Sequence, residues 1–340
     1  MLCINTEKIV SLSRVLSKPG RVVIVTHKRP DGDALGSAAA FHHYLASIPG
    51  CDVTLLNCES VPRNLAFICE GVKMSTDASL LDSCDLLVIT DMRSLHRNPD
   101  YEEAMRACKA YRIVVDHHPG TDTEKVDLLF SYPEASSSCE VLFWILRAIC
   151  GGDLSLIPKA SLECMMAGMT TDTNNFANST TADTLRMASE LLEAGVDRDS
   201  IVGRLFNSCR ENRVRAISGI LSDNLVIKGG LAYMLIRKSD ILKYGIEDGE
   251  LEGLVNIPLE IDSVRMSVTL KEEDDCFRVS ARSKKPLKVN VMMSESFHGG
   301  GHDQAAGGRL EVGVDVGSAE EICEYLERSA ARFVQLQPLV

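Results

Sequence analysis

The chain has 340 residues, of which 45% are hydrophobic and 25% charged, and its formal net charge is −12. This length allows two domains with cores of their own, and the composition is that of a folded globular protein, which excludes a disordered or fibrous chain. The negative charge argues against a protein that coats long duplex nucleic acid, because such a protein needs a broad basic surface. A short anionic substrate remains compatible with this charge.

The chain contains no apolar run long enough to span a membrane, and its first residues lack the pattern of a secretory signal. Its 12 cysteines are scattered, form no C-x-x-C pair and mostly lie within apolar segments. This pattern predicts reduced core cysteines rather than disulfides or a zinc site. We therefore expect a cytoplasmic protein without a membrane partner.

The first part of the chain alternates short apolar segments with helical patterns, which is typical of βαβ units around a parallel sheet. Four nearly continuous apolar segments are predicted as strands buried on both faces. They are residues 21–26, 53–57, 86–90 and 112–115. Helical patterns cover residues 36–47, 101–109, 138–149, 158–169, 181–193 and 199–207. Together they predict an α/β domain with helices on both faces of a parallel sheet.

The pattern changes in the last third of the chain. Residues 210–225 have one apolar helical face and are followed by glycines 229 and 230, which mark a boundary. Strand-like segments then cover residues 231–237, 264–271 and 277–283, and a last helix is predicted over 318–335. The chain is thus divided into a first domain over 1–209, a linker helix over 210–229 and a smaller α+β domain over 230–340.

Side chains that bind metals follow three of the four predicted strands, and one more follows a predicted helix. They are His27, Asp31 and Asp33 after the first strand, Asp91 after the third, Asp116, His117 and His118 after the fourth, and Asp172 after the helix. The carboxyl ends of parallel strands line one crevice, so residues distant in sequence meet there. A single aspartate after a strand is more often a turn or capping residue. The coincidence of four such elements predicts a site.

The carboxylates of this crevice need positive counter-charge, because close carboxylates cannot all stay ionised. Divalent cations supply that charge, and the number of ligands suits two ions. Mixed imidazole and carboxylate ligands favour Mn²⁺ over Ca²⁺ and Mg²⁺, with Mg²⁺ as a substitute. Two such ions activate water for displacement at phosphorus. The residues therefore predict a two-metal hydrolase of phosphate esters.

Six ordered motifs resemble those of the DHH phosphoesterases. In the first domain these are THKRPDGDALGS from residue 26, VITDMRS from 88, VVDHHPG from 114 and GMTTDTNNF from 168. In the last domain, FRVSARSK from 277 and GGGHDQAAGG from 299 are similar to the associated domain of the branch that contains oligoribonucleases and pAp phosphatases. The resemblance implies a catalytic domain at 1–209 and a substrate-binding domain at 230–340.

The resemblance also implies a role for each residue of the crevice. One metal ion would be bound by His27, Asp31 and Asp91, and the other by Asp33, Asp91, His117 and Asp172. His118 would contact the scissile phosphate, and Asp116 would orient a histidine. The alternative for Asp116 is a structural turn carboxylate.

The last domain supplies candidate substrate ligands. Three glycines, Gly299, Gly300 and Gly301, let backbone N–H groups approach an anion, and His302 adds a side-chain donor. Arg282 is suited to gripping a phosphate or stacking on a base. A flexible turn is the alternative for the glycines. A local basic cluster is predicted at Arg278, Arg282, Lys284, Lys285 and Lys288.

The resemblance implies a hydrolase that converts very short single-stranded RNA (nanoRNA) to mononucleotides, pAp to AMP, or both. If Arg282 and His302 hold the end of the nucleotide, substrates of about two to five nucleotides are expected, and the net charge supports this because it repels extended polyanions. The alternatives are a phosphodiesterase for cyclic or linear dinucleotides such as c-di-AMP and pApA, a manganese inorganic pyrophosphatase, an exopolyphosphatase, and a non-enzymatic nucleotide sensor. The sequence leaves the oligomeric state open.

Overall fold

The computed structural model describes residues 2–121, 125–247, 249–318 and 321–336. The chain forms two compact units, Met1–Ser208 and Cys209–Val340. Among the helices in these described ranges, none combines the length and the apolarity that crossing a lipid bilayer requires.

A parallel sheet lies at the centre of the first unit. Its strands within the described residues are β1 (Arg21–Val25), β2 (Asp52–Leu56), β3 (Met74–Ser75), β4 (Leu86–Thr90), β5 (Tyr111–Asp116) and β6 (Leu128–Ser131). They lie in the order β3-β2-β1-β4-β5-β6, and each neighbouring pair is parallel. The strand order reverses between β1 and β4, and the crevice at such a reversal is where open α/β sheets bind ligands.

Helices cover both faces of this sheet. They are α1 (Thr6–Leu16), α2 (Gly32–Ala46), α3 (Glu102–Ala107), α4 (Ser138–Ile149), α5 (Lys159–Asp172), α6 (Ala182–Glu193) and α7 (Arg198–Phe206). Alternate residues of a strand enter different cores: on β1, Ile24 joins the large core built with α1, α2 and α4 to α7. Val25 instead joins a smaller core with Met105 of α3. The predicted α/β class is confirmed.

The second unit has a mixed sheet. Its strands are β7 (Leu225–Lys228), β8 (Leu231–Ile236), β9 (Met266–Glu272), β10 (Cys276–Ser283), β11 (Gly300–His302) and β12 (Ala305–Glu311). They lie in the order β11-β12-β10-β9-β8-β7, and only the β8–β9 pair of these strands is parallel. The helices are α8 (Glu211–Asn224), α9 (Lys238–Tyr244), α10 (Val289–Ser296) and α11 (Ile322–Leu336). The predicted α+β arrangement is confirmed.

The segment over 210–229, predicted as a linker helix, belongs to the second unit. Helix α8 packs Ile220 against Met234, Ile236 and Leu254 in a separate small core. The helix ends at Asn224, and residues 225–228 form the edge strand β7. Ile217, Leu221 and Leu225 of the predicted apolar face pack against this core, whereas Val214 is 53% exposed. Part of the predicted last helix, residues 319–320, lies outside the described residues.

Candidate metal centre

The candidate site lies at the carboxyl ends of β1, β4 and β5 and is centred on Asp91. This residue follows β4 directly, is 3% exposed and has a φ of 53°. Its Oδ2 lies 3.5 Å from Nε2 of His27, and its Oδ1 lies 3.6 Å from Nε2 of His117. The two oxygens of one carboxylate therefore face different imidazoles.

A first group of ligand-type atoms combines His27, Asp31 and Asp91, whose ligand atoms all lie within 4.8 Å of one another. Oδ1 of Asp31 accepts the first N–H groups of α2, while Oδ2 lies 3.8 Å from Nε2 of His27. Nδ1 of His27 lies 2.9 Å from the carbonyl oxygen of Lys28. Because a carbonyl only accepts, Nδ1 carries the proton, and Nε2 keeps its lone pair for a metal.

A second group combines Asp33, His117 and Asp172, again within 4.8 Å. Nε2 of His117 lies 3.6 Å from Oδ2 of Asp172 and 4.0 Å from Oδ2 of Asp33. A third such group consists of Asp91, His117 and His118. All six residues that the sequence predicts as metal ligands thus lie in one continuous cluster.

Asp33 and Asp172 meet because helices α2 and α5 pack very closely. Asp33 lies in the first turn of α2, and Asp172 is the last residue of α5. A Cβ on Gly36 of α2 would lie 2.9 Å from the Cα of Gly168 on α5. A Cβ on Gly168 would lie 2.3 Å from Sγ of Cys139. Larger residues would separate the helices, and with them the two carboxylates.

The N-terminus of α4 holds two of the site carboxylates, a contribution that the sequence analysis missed. The N–H of Ser138 donates to Oδ2 of Asp33 at 2.7 Å, and the N–H of Cys139 donates to Oδ1 of Asp33 at 2.9 Å. The hydroxyl of Ser138 donates to Oδ1 of Asp91 at 3.0 Å. Free N–H groups and the helix dipole make this end of a helix favourable for anions. The serines at 136–138, at the start of a predicted helix, were the available signal.

The cluster contains buried carboxylates that need positive charge nearby to stay ionised. Burial raises the pKa of Asp33, Asp91 and Asp172, and the neighbouring carboxylates Asp33 and Asp31 raise the pKa of Asp91 further. Within the described part of the chain, no lysine or arginine forms an ion pair with these three carboxylates. The donor set of imidazole nitrogens and carboxylate oxygens fits divalent transition-metal ions, which would balance the negative charge.

Asp116 organises the histidine pair at the end of β5. It is fully buried, its Oδ1 accepts from Nδ1 of His118 at 2.8 Å, and its Oδ2 accepts from the hydroxyl of Thr121 at 2.6 Å. Its Oδ1 also accepts the backbone N–H of His117 at 3.0 Å. Burial alone would raise the pKa of Asp116, but the hydrogen bonds from His118 and Thr121 outweigh it and lower this pKa. The carboxylate thus fixes both the turn and the imidazole of His118.

The predicted substrate residues Arg282 and His302 of the second unit lie on β10 and β11, which flank β12 on its two sides. Arg282 on β10 is paired with Ala305 on β12, and Ala305 is paired with His302 on β11. Directly paired residues point to the same face of a sheet. Arg282 and His302 therefore share one face, with the small side chain of Ala305 between them.

The glycine motif forms a tightly paired strand rather than a flexible turn. A Cβ on Gly299 would lie 2.0 Å from the carbonyl oxygen of Gly307. Gly301 has a φ of 142°, and its Cβ would lie 2.6 Å from the carbonyl oxygen of Ala305. Gly300, in contrast, has open space where a Cβ would be. The first and third glycines are thus required by the close approach of β12.

The predicted basic cluster is partly neutralised by acidic residues from elsewhere in the second unit. Arg278 forms an ion pair with Glu273 at 2.9 Å, and Lys288 forms one with Asp303 at 2.9 Å. The ammonium group of Lys284 donates to the carbonyl oxygen of Ile261 at 2.9 Å. The sequence shows no acid between these cations, but the fold brings acids to them.

Comparison with known proteins assigns the chain to a family. Residues 21–169 match the model of the DHH family, N-terminal domain, and residues 228–332 match that of the DHHA1 domain. The bifunctional oligoribonuclease and PAP phosphatase NrnA of Bacillus subtilis is 28% identical over 311 residues, which cover 88% of this chain and 92% of the relative. The protein of the same name from Thermus thermophilus is 27% identical over 333 residues, which cover 96% and 95% of the two chains.

A solved structure extends this relationship to the fold of the whole chain. The crystal structure of an exopolyphosphatase-related protein from Bacteroides fragilis superposes with a TM-score of 0.91 at 29% identity and covers 99% of both chains. The chain therefore contains a domain of the DHH family, followed by a DHHA1 domain.

Proposed function

We propose that the chain is a divalent-metal-dependent phosphoesterase that hydrolyses very short oligoribonucleotides to mononucleotides and pAp to AMP. The observation that carries this proposal is the convergence of six ligand-type side chains around Asp91. The named activity of the two NrnA relatives, each aligned over most of this chain, supports the substrate class.

Two metal ions, Mn²⁺ with Mg²⁺ as a substitute, fit the cluster. In this proposal one ion would be held by His27, Asp31 and Asp91, and the other by Asp33, Asp91, His117 and Asp172. The assignment of Asp91 to both sets is supported by its two oxygens, which face His27 and His117 respectively. When bound, the ions supply charge neutralisation of the phosphoester and acidification of a water molecule.

His118 acts on the phosphate rather than on the metals. Its Nδ1 lies 3.6 Å from Oδ1 of Asp91, close enough for a shared ion, but the same nitrogen lies 2.8 Å from the carboxylate of Asp116. Because the pKa of Asp116 is lowered, this carboxylate stays ionised at neutral pH and retains the proton on Nδ1. An imidazole oriented in this way is suited to hydrogen-bonding a phosphate oxygen.

Substrate recognition is assigned to the second unit. The shared sheet face of Arg282 and His302 offers a guanidinium and an imidazole to the part of the nucleotide remote from the scissile bond. Gly300 lies on the same edge strand as His302 and has open space where a Cβ would be. Because Arg278 and Lys288 are paired with carboxylates, the attraction reaches over only a short stretch of polyanion. This supports substrates of about two to five nucleotides.

A side-by-side assay tests the proposal. Purified protein with Mn²⁺ is given pAp, di- to pentanucleotide RNA, a long single-stranded RNA, c-di-AMP, pyrophosphate and inorganic polyphosphate. We expect turnover of pAp and the short RNAs, and a steep fall for the long RNA. Hydrolysis confined to pyrophosphate or polyphosphate would contradict the proposed nucleotide substrates and assign a pyrophosphatase or exopolyphosphatase activity. Hydrolysis confined to c-di-AMP would assign the cyclic-dinucleotide activity instead.

A further inference from the structure

Two cysteines that precede neighbouring strands of the first unit are in direct contact. Cys84 lies just before β4, and Cys108 lies just before β5. Their Sγ atoms are 3.8 Å apart and are joined by a thiol hydrogen bond. Next to them, the N–H of Tyr111 donates to the carbonyl oxygen of Asp85 at 3.3 Å, which ties the two segments together. Both residues are half-buried rather than enclosed in the core.

We propose that Cys84 and Cys108 form a reversible oxidation site, which closes to an intramolecular disulfide when the protein meets a hydroperoxide. The sulfurs have to move from 3.8 Å to the bonded distance of about 2.05 Å. The site is separate from the metal centre and does not depend on the proposed function.

The two thiols have unequal chemistry, which assigns their roles. The hydrogen bond from Cys84 and, to a smaller extent, the positive charge of Arg112 lower the pKa of Cys108 to about 6. The same hydrogen bond, with burial, raises the pKa of Cys84. Cys108 is therefore the more readily ionised thiol of the pair, and the thiolate is the nucleophilic form.

The reaction proceeds in two balanced steps. The thiolate of Cys108 attacks one peroxide oxygen, the O–O bond breaks, and a sulfenic acid and hydroxide are formed. The Cys84 sulfur then displaces the sulfenic oxygen, which leaves as water once the proton of Cys84 is transferred. In total, two thiols are oxidised to one disulfide, and one hydroperoxide is reduced to water and the corresponding hydroxyl compound.

Other cysteines of the described chain lack this combination. Cys139 and Cys164 are buried, and burial raises the pKa of both thiols. Cys58 is exposed, but it donates to the carboxylate of Asp100, and its pKa is raised. Only the Cys84–Cys108 pair of the described cysteines joins sulfur contact to a lowered thiol pKa.

The position of the pair predicts what oxidation does to the protein. Cys84 and Cys108 lie at the amino ends of β4 and β5, whereas the metal-ligand residues follow the carboxyl ends of these strands. A disulfide there leaves the crevice unchanged. It closes the loop from residue 84 to residue 108, which restricts the unfolded chain and stabilises the folded state. We expect the oxidised protein to keep its activity and to unfold several degrees higher.

The test is peptide mapping after peroxide treatment of the full-length protein. After alkylation of free thiols, trypsin releases Cys84 in the peptide 74–93 and Cys108 in the peptide 107–109. We expect these two peptides to be linked, with a loss of two hydrogens that dithiothreitol reverses. Free, alkylated Cys84 and Cys108 after peroxide treatment would overturn the proposal, and so would a linkage of either to another cysteine.

Two variants and a control separate the roles. Cys84→Ser should accumulate a sulfenic acid at Cys108 that dimedone traps, and Cys108→Ser should leave Cys84 reduced. The control Cys209→Ser removes an exposed cysteine outside the pair and should not alter the linked peptide. Sulfenic acid at Cys84 in the Cys108→Ser protein would refute the assignment of the nucleophile. The wild-type peptide map decides the pairing even if a variant folds poorly.

Discussion

The hydroxyl of Ser138 provides a sharp test of how the protein prepares its metal ligands. The side chain is fully buried, and its Oγ donates to Oδ1 of Asp91 at 3.0 Å. Its backbone N–H, which binds Asp33, is retained when serine is replaced by alanine. Ser138→Ala therefore removes one hydrogen bond to a carboxylate and little else.

The size of the effect follows from the charge of the acceptor. Hydrogen bonds to charged groups contribute about 1.5–3 kcal/mol, and each 1.4 kcal/mol or so corresponds to about a tenfold change in affinity. Loss of such a bond to a residue proposed to bind both ions should weaken Mn²⁺ binding by about 10- to 100-fold. Activity should fall similarly at limiting Mn²⁺ and recover in part at saturating Mn²⁺.

Isothermal titration of metal-free protein with Mn²⁺ measures this loss directly. The matched control is Ser161→Ala, because Ser161 is also fully buried but donates to the backbone carbonyl of Ala40 on α2. That variant should lose stability without losing metal affinity. If Ser138→Ala binds Mn²⁺ within twofold of the wild type, or if Ser161→Ala loses as much, Ser138 does not position the ligand.

Four further predictions follow from the same contacts. Asp91→Ala should lose bound manganese and lower kcat by orders of magnitude, as metal analysis and kinetics would show. His118→Ala should keep manganese but lose kcat; a protein emptied of metal would make His118 a ligand. Arg282→Ala should raise KM for nucleotides and spare a small chromogenic phosphodiester, whereas equal losses would count against substrate binding. The carboxylate of Asp315, 2.8 Å from His298, raises the pKa of this histidine. The ion pair therefore contributes its full stabilisation below the pKa that His298 has in the unfolded chain, about 6.5. This contribution is lost as the pH rises through the higher pKa that His298 has in the folded protein. Asp315→Asn should lower the pKa of His298, which an NMR titration measures.

The sequence predicts buried strands well because their apolar character is continuous. Strands β1, β4 and β5 were found within one or two residues, and so were β8, β9 and β10 of the second unit. The edge strand β6 was missed because only alternate residues of it are buried. Helix α2 begins at Gly32 and not at the predicted residue 36, because the carboxylate of Asp31 caps it four residues earlier. Edges and caps depend on neighbours that the sequence does not reveal.

The candidate site also has features that the sequence predicts and features that it does not. The identity of its ligand-type residues follows from chemistry at strand ends, and all six lie together. Their supports could not be predicted, because the N–H groups of Ser138 and Cys139 bind Asp33 across more than a hundred residues of chain. The close packing at Gly36 and Gly168 is equally hidden, since a glycine in a helical segment is visible but its partner is not. Long-range complementarity is a property of the folded chain.

Backbone strain gathers where the ligands converge. Five of the eight non-glycine residues with positive φ in the described chain lie within four residues of a proposed metal ligand. These five are Arg29, Asp91, Asn174, Asn175 and Phe176. A left-handed conformation costs about 1–2 kcal/mol for a residue with a Cβ, and such strain persists only where the surrounding fold fixes it. At position 91 both the backbone conformation and the placement of the carboxylate oxygens therefore restrict the residue type. Aspartate tolerates this region better than most residues, and its short side chain keeps both oxygens between His27 and His117. Glutamate would retain the charge, but its additional methylene would shift the two oxygens from these positions at a residue that is only 3% exposed.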